Sequence, residues 1–269
     1  QYTYNAFGQA FQVTDPNGIV TETVFDKDGR SAAVIVDTAG LKLATTYTYD
    51  GLGDTLTVTE GQQASGGTGS WTFAAAPNTT PKITQYTYDK AGRRTQQVVD
   101  PGSGHLNLTT QYFYDKDGNV VRKIDANNQT WRTVYDADNR ARYTIDPAGD
   151  VVENDYDAGG RLTRTVQYAT PLTGTQLSGL SDTSTVANVA ALLPANPSST
   201  TDRISWNVYD GDNRLVYSVD AAGDITGYTY DNAGRVTDTL RYANRVTTAN
   251  LATLATVKAA GVAQLGIVA

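Results

Sequence analysis

A short signature recurs nine times in this chain: an aromatic residue, then Asp (Asn in the first copy), two variable positions, Gly or Asn, and in most copies Arg. The copies centre on Tyr4 (with Asn5 and Gly8), Phe25 (Asp26, Gly29, Arg30), Tyr49 (Asp50, Gly53), Tyr88 (Asp89, Gly92, Arg93) and Tyr114 (Asp115, Gly118). They continue at Tyr135 (Asp136, Asn139, Arg140), Tyr156 (Asp157, Gly160, Arg161), Tyr209 (Asp210, Asn213, Arg214) and Tyr230 (Asp231, Gly234, Arg235). Where nothing intervenes the aromatic anchors stand 21 residues apart, as from Tyr4 to Phe25, Tyr114 to Tyr135, Tyr135 to Tyr156 and Tyr209 to Tyr230. A fixed period of this length restricts the chain to an array of small units, each contacting its neighbours.

Each unit holds two turn signals. The first is the signature itself; the second lies between anchors, as Asp15-Pro16-Asn17-Gly18, Asp37 to Gly40, Asp125 to Asn128, Asp146-Pro147-Ala148-Gly149 and Asp220 to Gly223. Asp at the head of a turn hydrogen-bonds the backbone two residues on. Gly or Asn at the fourth position supplies the left-handed backbone of a type I turn with a bulge. The intervening segments alternate in polarity, as in Leu162 to Tyr168, where Leu162, Arg164, Val166 and Tyr168 share one face. Short alternating strands joined by tight turns predict an all-β, antiparallel hairpin array, with short helices only in insertions.

Composition agrees with a thin sheet. Hydrophobic residues make up 39% and Tyr supplies 17 of the aromatics, a side chain that packs its ring while its hydroxyl reaches water. Tyr pairs two apart, such as Tyr2/Tyr4, Tyr47/Tyr49, Tyr86/Tyr88 and Tyr228/Tyr230, fall on one face. They are expected to stack into aromatic ladders across strands, each good pair contributing roughly 0.2–1 kcal/mol.

The array is expected to run through residues 1–269, interrupted twice. Residues 61–82, rich in Gly, Ser, Ala and Thr and carrying Trp71 and Phe73, read as a loop or an elongated hairpin. Residues 169–202 contain Val186, Val189, Ala190 and Leu193 at helical spacing, a short amphipathic helix ended by Pro194. The segment 245–269 echoes that insertion: Tyr168-Ala169 matches Tyr242-Ala243 at an offset of 74, as Leu177 matches Leu251 and Leu180 matches Leu254. It reads as a second, truncated helical insertion. The chain opens on Gln1 and contains no Met, so it is expected to be a processed product or a piece of a longer protein that continues past Ala269 into another repeat.

The charge is -7 with dispersed Lys and Arg, which sets nucleic acid aside. There is no Cys, hence neither disulfides nor thiolate metal sites, and no apolar run approaches a membrane span. The Asp-x-Asp-Gly/Asn stretches at 26–29, 115–118, 136–139 and 210–213 resemble the start of a calcium loop. The following ligand position holds Arg30, Asn119, Arg140 and Arg214, however, and no bidentate Glu comes later. Turn chemistry accounts for these carboxylates, and no metal or cofactor is expected. A glycosidase pair is not singled out among the 28 acidic residues. The single His, His105, sits in Gly102-Ser103-Gly104-His105 with no nucleophile elbow nearby and reads as a hairpin tip. The recurrent Arg reads as a structural residue that bonds turn carboxylates or stacks on the next Tyr. Trp71 and Phe73 are the candidates for ligand contact, because insertions on a rigid scaffold often carry function.

The repeated aromatic-Asp-x-x-Gly-Arg resembles the YD-repeat, or RHS-repeat, family over nearly the whole chain outside the insertions. That family includes bacterial polymorphic toxins, the hollow-shell component of insecticidal toxin complexes, wall-associated bacterial proteins and teneurins. The resemblance implies a long sheet spiralling into a shell, barrel or fibre, in toxins around a C-terminal effector. It also implies a bacterial protein that is secreted or on the cell surface, with further repeats of the same parent chain as partners. Separately, the open ends of a β array are templates for pairing, so end-to-end self-association is an expected additional contact. The family's toxins carry a self-cleaving aspartyl core. The Asp146-Pro-Ala-Gly149 stretch is superficially similar, but it is in phase with the ordinary second turn, so no catalytic residue is carried over. The expected function is therefore structural, with adhesion or glycan binding through the insertions and the Tyr-rich face as the alternative, and the chain is not expected to be an enzyme.

Overall fold

A computed structural model describes residues 1–198, 200–243 and 245–246; the expected second helical insertion, with Leu251 and Leu254, falls almost wholly outside the described residues. The described chain is almost entirely antiparallel β, with 19 strands and two short helices. It divides into two compact units, Gln1–Tyr112 with Ile124–Asn128, and Phe113–Lys123 with the chain from Gln129 on.

The first unit contains β1 (Tyr2–Tyr4), β2 (Ala10–Thr14), β3 (Val20–Phe25), β4 (Ser31–Val36), β5 (Leu43–Tyr49), β6 (Thr55–Gly67), β7 (Ser70–Ala75), β8 (Lys82–Tyr88) and β9 (Arg94–Val99). The first residues of β10 (Leu108–Tyr114) belong to it as well. Successive strands pair in chain order from β1 to β6; β6 then pairs with β8, β8 with β9 and β9 with β10. The exception is β7, which pairs with the far half of β6, Gln62–Gly67 against Ser70–Ala75. Residues 61–75 are thus a hairpin standing out of the repeat register.

In the second unit β11 (Val120–Ile124), all but its last residue, precedes β12 (Thr130–Tyr135), β13 (Ala141–Ile145), β14 (Val151–Tyr156) and β15 (Leu162–Gln167). After the helical insertion come β16 (Arg203–Tyr209), β17 (Leu215–Val219), β18 (Ile225–Tyr230) and β19 (Val236–Arg241). From β12 to β19 each strand pairs with the next.

The register repeats. The residue seven after the turn Asp or Asn lies opposite the residue three before the next aromatic anchor. This holds for Gln12↔Glu22, Ala33↔Thr46, Thr57↔Gln85, Gln96↔Gln111, Tyr143↔Glu153, Arg164↔Trp206 and Tyr217↔Gly227. Within each signature hairpin that is described, the ladder slips by one residue at the aromatic anchor, as between Val24 and Phe25 or Asp155 and Tyr156. Such a bulge bends the strand and re-aims the side chain at its end.

Each unit buries one sheet face beneath its insertion. In the first, Trp71 and Phe73 of the β6–β7 hairpin pack against Ile35, Ala44 and Ala64. In the second, residues 168–202 fold as α1 (Gly174–Gly179) and α2 (Val186–Ala190), two helices where sequence periodicity marks one. Thr173 with Gln176 and Thr185 with Asn188 form capping boxes, a signal carried by the caps and not by apolar spacing. Helices this short are marginal alone, and packing holds them. Leu172, Leu180 and Val189 are buried with Val151, Val166, Ile204, Val219 and Ile225, and Leu177, Val186 and Leu193 lie against that core. Ala190, expected on the apolar face, is exposed, because α2 ends there with Ala191 as its cap. Asp182, between the helices, is clamped by Arg122 through two bonds of 2.5 and 2.7 Å.

The 74-residue echo is visible at its start. Tyr168 N–H donates to Val151 O and Leu172 N–H to Gly149 O; Tyr242 N–H donates to Ile225 O and Val246 N–H to Gly223 O. Gly149 and Gly223 have φ of 95° and 83°, and a Cβ on either would collide with the carbonyl of Leu172 or Val246.

Candidate functional site

The nine signature turns share one geometry. In each, the N–H of the Asp or Asn donates to the carbonyl four residues on, at 2.8–3.0 Å, and the N–H of the turn Gly or Asn donates back at 2.9–3.3 Å. Oδ1 of the Asp accepts the N–H groups two and four residues ahead, as in Asp26 with Asp28 and Arg30, or Asp157 with Gly159 and Arg161. The fourth residue is left-handed throughout, from Gly8 at φ 78° to Gly234 at 77°, including Asn139 at 59° and Asn213 at 65°. The second turns at Asp15, Asp146 and Asp220 reproduce this pattern, but the position after their Gly is Ile19, Asp150 or Asp224. The stretch from Asp37 to Gly40 departs from it. There Asp37 and Lys42 are the left-handed residues and Asp37 Oδ2 caps Leu41 N–H, giving a wider loop than the expected turn.

Arg converts a turn into a clasp. Its Nε donates to the second carboxylate oxygen of its own Asp: Arg30–Asp26 at 2.7 Å, Arg93–Asp89 at 2.7 Å, Arg140–Asp136 at 2.8 Å, Arg161–Asp157 at 2.6 Å and Arg214–Asp210 at 2.7 Å. The same guanidinium reaches the next repeat. Nη1 of Arg30 donates to Asp50 O at 3.1 Å, that of Arg140 to Asp157 O at 3.3 Å, and that of Arg161 to Asp210 O at 3.3 Å. It also lies over the next anchor ring, 4.7 Å from the centroid for Arg30 and Tyr49, 4.9 Å for Arg140 and Tyr156, 4.9 Å for Arg161 and Tyr209, and 5.2 Å for Arg214 and Tyr230. Each ring answers through its hydroxyl, which donates to the backbone just after the preceding turn: Tyr49 to Ser31 O, Tyr88 to Thr55 O, Tyr156 to Ala141 O, Tyr209 to Leu162 O and Tyr230 to Leu215 O. Where Arg is replaced, a polar link persists in two cases, Gln9 Nε2 to Gly29 O at 2.9 Å and Asn119 Nδ2 to Asn139 Oδ1 at 2.9 Å.

The expected tyrosine ladder is therefore an arginine–tyrosine ladder. Among the described residues only Tyr2/Tyr4 and Tyr217/Tyr242 are close ring pairs, at 6.5 and 6.3 Å. The bulge at each anchor lays the ring along the preceding strand, where the guanidinium and not another ring meets its face. Cation–π contact and a charge-assisted hydrogen bond are thus made by one side chain.

Electrostatics follow from these bonds. The backbone N–H of the Arg four residues on holds the carboxyls of Asp89, Asp157, Asp210 and Asp231 below the usual aspartate range, and its guanidinium adds to the effect. At Asp26, Asp115 and Asp136 burial pushes the other way and the hydrogen bonds outweigh it. The guanidinium occupies the place a cation would need: Arg30 bridges Asp26 and Asp28, Arg140 bridges Asp136 and Asp138, and Arg214 bridges Asp210 and Asp212. Among the described residues no three His, Asp or Glu side chains converge as metal ligands.

The anchors and turn residues named from sequence thus come together pairwise, one repeat to the next, instead of at one pocket. Trp71 turns toward the sheet, its Nε1 donating to Glu22 Oε1 at 2.6 Å and its ring facing Lys42 Nζ at 5.5 Å. His105 bonds Asp100 through Nδ1 at 2.5 Å in a tip also tied by Asn107 to Gly102. Sequence reading missed two buried carboxylates, Glu22 and Glu153, 2% and 5% exposed. Both stand three before an anchor, Phe25 or Tyr156, and both tether an insertion. Glu22 accepts from Trp71, Thr68 and Gln12; Glu153 accepts from Tyr168 and Arg142, with the Tyr143 hydroxyl at 3.4 Å. Burial, then the bond to Glu153, pushes the Tyr168 phenol up. A Glu in an otherwise alternating strand, three before the anchor, is the available signal.

Residues 114–151 match the family model described as RHS Repeat. No curated protein matches the sequence. Among solved structures, the chain is similar to the crystal structure of TcdB2-TccC3-TEV, with 16% identity and a TM-score of 0.46 over 89% of this chain and 14% of that one. It is also similar to a Photorhabdus luminescens Tc holotoxin pore bearing a TccC3 mutation, with 15% identity and a TM-score of 0.43 over 91% and 15%. A porin-like protein from Bacteroides uniformis ATCC 8492 aligns at 12% identity and a TM-score of 0.22 over 83% and 93%. The chain therefore spans about one seventh of the length of the Tc toxin chains it matches. The stretch 114–151 thus matches the RHS Repeat model, and the turn at its start is one of nine built alike between Asn5 and Arg235.

Proposed function

We propose that this chain is a wall segment of a large secreted or surface-exposed RHS protein, in which clasped repeats form a continuous barrier around a cargo carried by the same polypeptide. The observation that carries the reading is the clasp across the helical insertion. Arg161 grips Asp210 and Asn213, and Tyr209 grips Leu162, with residues 168–202 looped out between them. A sheet that closes ranks over an interruption of that size behaves as a barrier with local thickening. On this reading the carboxylates serve turns, and no reaction is assigned to the chain. An adhesive role would draw on Trp71 and Phe73, but both pack inward against Ile35, Ala44 and Ala64, which favours the wall.

The test is limited proteolysis of the whole parent protein. A non-repeat segment of the parent that survives a broad protease while the array is folded, and is cut once acid or denaturant opens it, is the expected result. A parent whose non-repeat segments are all cut at the same rate with the array intact overturns the proposal.

A further inference from the structure

Glu22 and Glu153 hold the same place in their units, yet their charges are met differently. Glu153 has cations: Arg142 Nη2 donates to its Oε1 at 2.5 Å, and Arg164 Nη2 stands 3.5 Å away. Arg142 also spans the gap between β13 and β14, donating through Nη1 to Asn154 O at 2.5 Å. Glu22 is as deeply buried but has neutral donors, Trp71 on Oε1 and Thr68 and Gln12 on Oε2, and among the described residues no cation pairs with it. A buried carboxylate without a counter-charge is costly, and its Oε1 keeps acceptor capacity beyond one indole N–H. Arg142 stands six after the turn residue Asp136; six after Asn5 stands Phe11. The β2–β3 ladder, like that of β13 and β14, covers three pairs and ends at Gln12↔Glu22. Beside its end, between the first and second signature turns, lies a cleft of about 720 Å³. Phe7, Phe11, Phe25 and Val24 line it together with Glu22 and Thr23, and Asp26 and Asp28 outnumber Lys27 on the same wall. Arg30 holds Asp26, and Lys27 leans on Asp28 at 3.3 Å with its side chain in water.

We infer that this cleft is a binding site for an arginine side chain presented by a partner polypeptide. The second unit shows the fit within the same chain: a guanidinium there takes the glutamate Oε1 and the next carbonyl together. The matching atoms in the first unit are Glu22 Oε1 and Thr23 O, on two residues that line the cleft. The phenyl rings suit the rest of the ligand, because aromatic faces attract a guanidinium and the arginine stem is apolar. The planar two-donor fork favours arginine over lysine. The cleft has room for more than one side chain, so residues flanking the arginine also find contact there. Phe7, at its mouth, is 90% exposed, and Leu52 at the same turn position of the third copy is 81% exposed, so exposure belongs to the turn tip and Phe7 is not needed for packing.

Calorimetric titration of the chain tests this with two short capped peptides, alanine-arginine-alanine and its citrulline counterpart, in which a neutral urea of the same shape replaces the guanidinium. The arginine peptide is expected to bind about tenfold more tightly or better, the margin of a charge-assisted hydrogen bond pair. Phe11→Arg places the chain's own guanidinium where Arg142 stands in the second unit and should abolish binding. Phe7→Ala, at an exposed tip that leaves the fold intact, should weaken it severalfold. Equal affinity for the two peptides overturns the inference, as does an affinity for the arginine peptide that neither variant changes. Butylguanidine binding as tightly as the peptide also overturns it, by assigning the cleft to a free small cation. The proteolysis of the parent is read independently, so the wall can fail while the arginine site stands.

Discussion

An aspartate at the head of a turn here does three jobs with two oxygens. It caps two N–H groups with one and receives a guanidinium with the other, and that guanidinium in turn holds the neighbouring repeat. Because Asp89, Asp157, Asp210 and Asp231 titrate below the usual 3.8 in the folded state, the sign of the pH effect is fixed. Their contribution is complete above the unfolded value and is lost as pH falls through the lowered native values. The array should keep its full stability in neutral and weakly acidic solution and lose it below about pH 4, read by far-UV circular dichroism. Asp157→Asn should flatten that acid limb, and an unchanged limb would refute the assignment. Glycine gives a second residue-scale test. Gly160→Ala meets only Arg140 Nη1 at 3.9 Å, an ordinary contact, and is expected to cost about 1 kcal/mol for its left-handed backbone, whereas Gly149→Ala meets the Leu172 carbonyl and should cost more. Equal losses in urea unfolding would show that the two glycines are not distinguished by that contact.

At the level of elements, two buried glutamates decide where the insertions lie. Glu22→Ala should leave the Trp71 indole N–H without its partner, cost roughly 1–3 kcal/mol and alter Trp71 fluorescence in a Trp131→Phe, Trp206→Phe background. Unchanged emission would mean that Glu22 does not position the ring. Ile204→Ala, beneath the helical insertion, should cost about 2–5 kcal/mol by equilibrium denaturation. These contacts also mark the limit of what the sequence made legible. The turns and their period were readable because Asx capping and left-handed Gly are local chemistry, present within five residues of Asp26 or Asp157. The arginine's choice of partner was readable because Arg30 and Arg140 recur in phase with their carboxylates. The tyrosine ladder was misread because the bulge at Phe25 or Tyr156 arises only when two strands pair. The seats of Trp71 on Glu22 and of Asp182 on Arg122 depend on residues 49 and 60 positions apart, which no local pattern encodes.

Over the whole molecule, order is additive: each repeat makes its main bonds with the one before and the one after, the behaviour of a one-dimensional array. Replacing residues 169–202 by a short turn should therefore preserve the β15–β16 ladder and the Arg161–Asp210 bond, while exposing Val166, Ile204 and Ile225 and lowering stability by several kcal/mol. Hydrogen exchange at Arg164 to Gln167 tests this, and loss of protection there would show that the insertion sets the register.

Pairing indifferent to what lies between its partners has a practical meaning. Tyr143 meets Glu153 across the five-residue bend 146–150, and Arg164 meets Trp206 across 168–202, on the same rule. The junctions after β6 and β15 thus act as splice points, where lineage or laboratory can graft an epitope, a reporter or a folded passenger while the flanking fabric keeps its weave.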